Sequence, residues 1–175
     1  YAYHPNVERV VIVDKIKERV DETLSGIRIK NVEVYDTFEE VLNDPSIDAV
    51  HICTGITNHA TLSVAVLRAG KHCACTVPMA TSLEGIKRIT EATRKSGKKY
   101  MMMETTLYTY QFHYVKHMLE SGELGRIQFM RGSHYQDMEN WPDYWFGLPP
   151  MWYGTHAIGP MVALSGSRIQ RVVCF

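Results

Sequence analysis

The residues able to do chemistry stand at the ends of short apolar runs. Asp14 closes the β-branched run Val10–Val13. An acidic side chain there can accept hydrogen bonds from the two hydroxyls of an adenosine ribose. It can equally cap the helix that follows. Thr54-Gly55-Ile-Thr-Asn-His59 joins a strand pattern to a helix pattern. Its backbone amides and hydroxyls could line a cofactor groove, whereas His59 could simply be a partly exposed residue of a capping turn. Thr76-Val77-Pro78 and Glu104 end two further runs. Glu104 reads either as a site carboxylate or as the partner of a surface lysine. Tyr153 and His156 flank a predicted helix start. Either side chain can move a proton; the plainer readings are a core tyrosine and a buried, hydrogen-bonded histidine. His113 and His117 have metal-ligand spacing, but no glutamate of the HExxH kind and no third ligand accompany them, so a solvated face and no metal are expected. The aromatic stretch from Trp141 to Tyr153 is either a wall for stacking on sugar faces or an oligomer contact.

These residues need elements to hold them. The first 104 residues alternate strand and helix patterns. Strands are predicted at 10–13, 32–35, 48–54, 72–75 and 99–103. Thr37-Phe-Glu-Glu40 and Thr81-Ser-Leu-Glu84 read as capping boxes opening two helices. Asn58 reads as an N-cap, with Gly70 and Gly97 as stops. Strands separated by helices argue for βαβ units and a parallel sheet, so the fold class is α/β. Ligands of such sheets bind at the carboxyl ends of the strands, where Asp14, Thr54, Gly55, Thr76, Val77, Pro78 and Glu104 stand. After Glu104 the pattern changes. A helix is expected over 110–121, a longer strand from Ile127 through His134 and Tyr135, a helix over 156–164, and a closing strand over 172–175. Residues 1–104 then form one domain and 105–175 the start of a second.

Length and composition bound the rest. The chain has 175 residues, with 19 Lys+Arg against 19 Asp+Glu. The zero balance removes the electrostatic drive of non-specific nucleic-acid binding. With 45% apolar and 22% charged residues the chain can bury a sizeable core. No apolar run approaches the roughly 18 residues of a membrane span, and the first residues do not read as a signal peptide. Cys53, Cys73 and Cys174 or their neighbours lie in apolar runs, and all four cysteines, Cys75 included, are expected as buried reduced thiols of a cytoplasmic protein. The glycine-rich phosphate loop that should precede Asp14 by about 20 residues is not in the sequence, which therefore reads as a fragment or as another fold.

The succession of motifs resembles a known family. Asp-Ala-Val precedes Cys-Thr-x-x-x-x-His; Ala-Gly-Lys-His, Pro-Met-Ala, Gly-Glu-Leu-Gly-Arg-Ile and Gly-x-His follow in order. This looks like the glucose–fructose oxidoreductase, inositol dehydrogenase and rhizopine catabolism (Gfo/Idh/MocA) family, over about Val10 to Gly166. The resemblance implies a Rossmann-type domain binding NAD, with NADP left open by Lys15, Lys17 and Arg19. It also implies a second α/β domain with a large, mostly antiparallel sheet, a sugar-like substrate, and a homodimer or tetramer. Asp14 becomes the ribose acid, and Thr54 and His59 fall on the cofactor turn. Two positions depart from the family pattern. Val77 stands where a proton-transferring lysine is usual, and Gly159 where an acid is usual. Thr-Val-Pro, Glu104 and Tyr153-Gly-Thr-His156-Ala-Ile-Gly-Pro instead resemble the NAD-dependent glycosidase branch. There Glu104, Tyr153 and His156 would be site residues, with Tyr135 or His134 as a further sugar contact. The readings that follow are an NAD(P)-dependent sugar oxidoreductase, a redox-neutral glycosidase, and a non-catalytic binding protein.

Overall fold

The structure is a computed structural model that describes residue 1, residues 3–26 and residues 32–173. Five strands carry the first part: β1 (Val10–Ile12), β2 (Val32–Val34), β3 (Ala49–Ile52), β4 (His72–Thr76) and β5 (Tyr100–Met103). Helices α1 (Lys17–Gly26), α2 (Phe38–Asn43), α3 (His59–Arg68) and α4 (Leu83–Ser96) connect them. All strand pairs are parallel, as βαβ units require. Among the described residues they divide into a β1–β2 pair and a β3–β4–β5 sheet. The single sheet expected from the strand pattern is thus two parallel pieces.

The core lies where α3 and α4 cover the three-stranded sheet. On β4, Cys73 and Cys75 alternate inward, the two-residue period of a strand with one face against helices. On α3, Val64, Val66 and Leu67 form the buried stripe; on α4, Gly85, Ile89 and Ala92 do. The glycine lets the helices close on each other: a Cβ at Gly85 would stand 2.9 Å from that of Ala80 and 3.1 Å from that of Ala60.

Local signals explain the helix ends. The Thr37 capping box forms, with Thr37 Oγ1 accepting from the Glu40 amide and Glu40 Oε2 accepting from that of Thr37. At α4 the cap is Ser82, one residue later than expected, and its Oγ accepts from Gly85 N at 3.1 Å. Ser82→Ala should cost about 1 kcal/mol, read by denaturant unfolding; an unchanged midpoint would mean that packing alone holds α4. Asn58 stands at the N-cap position of α3 as expected, but its side chain makes no capping bond. It ends a 3₁₀ turn, Ile56–Asn58, that runs straight into α3, so its side chain has no orphan amide to serve.

Beyond β5 the elements differ more from expectation. A 3₁₀ turn (Thr105–Tyr108) leads to α5 (Tyr110–Glu120), and α6 (Thr155–Ser165) comes after two more 3₁₀ turns. The strand expected from Ile127 is absent: residues 127–135 carry no ladder. A strand needs a neighbour, and no described segment of this region pairs with it. Residues 172 and 173 are likewise not a strand, and 174–175 lie outside the described residues. Cys73 and Cys75 are buried, while Cys53 is exposed because it lies just past the last buried residue of β3, Ile52; Cys174 lies outside the described residues. No described helix is long and apolar enough to cross a membrane.

Candidate functional site

Within each parallel piece the carboxyl ends of the strands share one edge. Asp14 follows β1 and is exposed; its Oδ1 accepts from the Ile16 amide at 2.9 Å. It therefore serves the turn before α1, which begins only at Lys17. Thr54 is exposed after β3, and Thr76 is half-buried at the end of β4.

His59 lies beneath this edge. It is fully buried, so it is neither an exposed turn residue nor part of a groove wall. Its Nδ1 is 2.7 Å from the Pro78 carbonyl; its Nε2 is 3.0 Å from the Thr54 carbonyl and 3.4 Å from the Thr76 hydroxyl. One ring thereby ties together the turns after β3 and β4. Val77 and Pro78 are buried as well. Of the residues expected to contact a cofactor, then, Asp14, Thr54, Gly55 and Thr76 face outward to some degree, while His59, Val77 and Pro78 support them from behind.

The second cluster forms where β5 ends. Glu104 is only 2% exposed. Its Oε1 accepts from the Thr106 hydroxyl at 2.7 Å, the Thr106 amide at 3.2 Å and His156 Nδ1 at 2.5 Å. Burial pushes the Glu104 carboxyl up, but the bonds from Thr106 and His156 prevail and hold it below its ordinary value. It is therefore an anion, and His156 presents an N–H to it through Nδ1. That arrangement leaves Nε2 bare in a neutral ring, and Nε2 has no hydrogen-bond partner among the described residues. A buried carboxylate orienting an imidazole is the arrangement of a general base.

Aromatic rings surround the pair. His134 lies 4.8 Å from the His156 ring, and Tyr153 stands edge-on to it at 4.9 Å. Trp145 backs Tyr153, and Trp141 backs Trp145. Burial, and then the Glu104 charge, push the Tyr153 phenol up. Tyr135 points elsewhere: it is 86% exposed. Of the two alternatives the structure brings His134 to the site and leaves Tyr135 outside, because successive residues of an extended segment face opposite ways. The segment passes close over α6 at Gly132, where a Cβ would fall 2.4 Å from the Ala157 carbonyl oxygen. A cleft of about 430 Å³ opens there, lined by His156, Ala157, Gly132, Ser133 and Pro160 among others. The sequence reading missed Thr106. A hydroxyl two residues after an acid at a strand end was the available signal.

Parallel strands joined by helices, with an acid after the first of them, are the arrangement of a nucleotide-binding fold. Residues 1–104 match the model of the oxidoreductase family with an NAD-binding Rossmann fold, and the chain belongs to that family. It is 26% identical over 180 residues to glycosyl hydrolase family 109 protein 1 of Bacteroides fragilis, covering 94% of this chain and 39% of that protein. It is 30% identical over 131 residues to inositol 2-dehydrogenase of Salmonella paratyphi B, covering 74% of this chain and 38% of that protein. Its fold resembles the crystal structure of myo-inositol 2-dehydrogenase from Lactobacillus plantarum, with a TM-score of 0.75 at 14% identity, over 94% of this chain and 50% of that one. The chain thus spans about two fifths of the length of these curated relatives.

Proposed function

We propose that the protein is a nicotinamide-dependent oxidoreductase acting on a sugar or sugar-like polyol, with Glu104 and His156 as its proton-transfer pair. The observation that carries this reading is the buried Glu104 carboxylate 2.5 Å from His156 Nδ1, on the strand edge where this family binds its nucleotide.

The residues present fit NAD. Asp14 is exposed after the first strand and keeps Oδ2 for a ribose hydroxyl. Thr54, Gly55 and Thr76 stand at the carboxyl edge of the β3–β4–β5 sheet, and His59 fixes their turns. Lys15, Lys17 and Arg19 are exposed nearby, so NADP is also within reach. The bound nicotinamide would supply the hydride acceptor. His156 would take the substrate's hydroxyl proton on Nε2 as the carbonyl forms, and Glu104 would stabilise the resulting imidazolium. Tyr153 and His134 would confine the sugar ring against this base.

A second reading is redox-neutral glycoside cleavage. It is favoured by Val77, which is buried and apolar and cannot move a proton. After oxidation of the sugar, a base such as His156 or Tyr153 would remove the proton beside the new carbonyl. The leaving group would depart, water would add, and the ketone would be reduced again. The family 109 relative supports this reading as well.

Residues 105–175 would begin a substrate domain of a cytoplasmic homodimer or tetramer. Burial pushes the Cys75 thiol up to about 11, so that thiol is unreactive.

The test uses full-length protein purified without added nucleotide and then heat-denatured. NAD(H) in the supernatant by mass spectrometry, near one per chain, is the expected result for a cofactor kept through turnover. Failure to find it, followed by failure of added NAD(H) and NADP(H) to bind, would overturn the enzyme reading. Steady NADH accumulation with glycosidic bonds intact would exclude the cleavage reading.

A further inference from the structure

Gly159 has no side chain, and Glu104 occupies the space that one would fill. A Cβ at Gly159 would stand 3.2 Å from Glu104 Cγ, 3.7 Å from Cδ and 3.9 Å from Oε2. Gly159 lies three residues after His156 on α6, so both face the same neighbour. Glu104 comes from the end of β5, and its side chain passes over the bare position 159 before its carboxylate meets His156 Nδ1. No positive φ calls for glycine at 159, and glycine weakens a helix interior. The residue therefore runs against helix propensity without a backbone reason, and the close approach of Glu104 supplies one.

We propose that Gly159 is a positioning residue: its bareness is the seat through which Glu104 reaches His156 and fixes the imidazole with Nε2 free. This rests on His156 being the base of the site. The seat can also be filled from the other side. With the Glu104 side chain removed, an aspartate at 159 would project its own carboxylate into the vacated space, within reach of the same ring nitrogen. The two positions thus provide alternative origins for one carboxylate.

The test compares full-length wild type, Gly159→Ala, Glu104→Ala and the double variant Glu104→Ala/Gly159→Asp. Two readouts are used: nitrogen-15 NMR of the His156 ring, which reports which nitrogen carries the proton, and turnover with NAD and a polyol panel. In wild type the ring should carry its proton on Nδ1. Gly159→Ala should mix the tautomers and slow turnover about tenfold, since a misplacement of about 1 Å costs roughly 10²-fold and the 3.2 Å approach to Glu104 Cγ calls for a smaller shift. A purely structural role predicts the opposite, because alanine strengthens the helix. Glu104→Ala should lose the fixed tautomer, and the double variant should regain it with about tenfold of the lost rate. The double variant removes bulk before adding it, so it stays informative if Gly159→Ala fails to fold. An unchanged tautomer and turnover in Gly159→Ala would overturn the proposal, as would a double variant no better than Glu104→Ala. If no variant, wild type included, turns over any polyol while the tautomer still follows positions 104 and 159, the seat stands and the proposed activity falls.

Discussion

For the proposed activity, exchanging Glu104 for Gln should lower kcat of the full-length protein about 10²–10⁴-fold, the range for losing an oriented general base. The amide fits the same space but can present its NH₂ to His156 and turn the ring into the wrong tautomer. KM should move far less, because Glu104 is buried behind the imidazole and has no surface to offer a substrate. The acid limb of stability should change too. The Glu104 carboxyl is held below its ordinary value in the folded state, so its contribution is complete above the unfolded carboxylate range and is lost as pH falls through the lower folded value. The glutamine variant should lack that acid-dependent loss in thermal unfolding followed against pH. Turnover within about threefold of wild type would remove Glu104 from the machinery.

His59→Ala should be the most destabilising substitution at the nucleotide edge. It empties a fully buried site and leaves the Pro78 and Thr54 carbonyls without their ring partner. Cavity formation and the lost hydrogen bonds together should cost about 3–5 kcal/mol in denaturant unfolding. The turns after β3 and β4 should loosen with it, and nucleotide affinity should fall although the ring is too deep to touch a ligand. A cost below about 1 kcal/mol would show that the strand ends hold without the histidine.

What could be read from the sequence followed the range of the forces involved. The Thr37–Glu40 box and the Gly97 stop form as expected, because each is decided within one helical turn. The Ser82 cap was displaced by one residue, since Thr81 and Ser82 offer the same hydroxyl and only the chain's path chooses between them. The strand expected over 127–135 failed for a different reason. Its residues suit a strand, but a ladder belongs to two segments and cannot be read from one. Burial of His59 depends on β4 and the Val77–Pro78 turn converging on α3, which lies beyond local pattern. The Glu104–His156 pair joins residues 52 apart. Each was visible as a candidate, but only the packing of α6 onto the turn after β5 makes them one unit. Gly159 looked like the loss of an acid; beside Glu104 it is the space for one.

The divided sheet has a consequence at its edges. Among the described residues β1 pairs only with β2, and β3 only with β4. Each therefore has one edge without a ladder among the described residues. Val10–Ile12 and Ala49–Ile52 contain neither the lysine nor the proline that blunts such edges. These rows are the places on the described residues where a further strand would add.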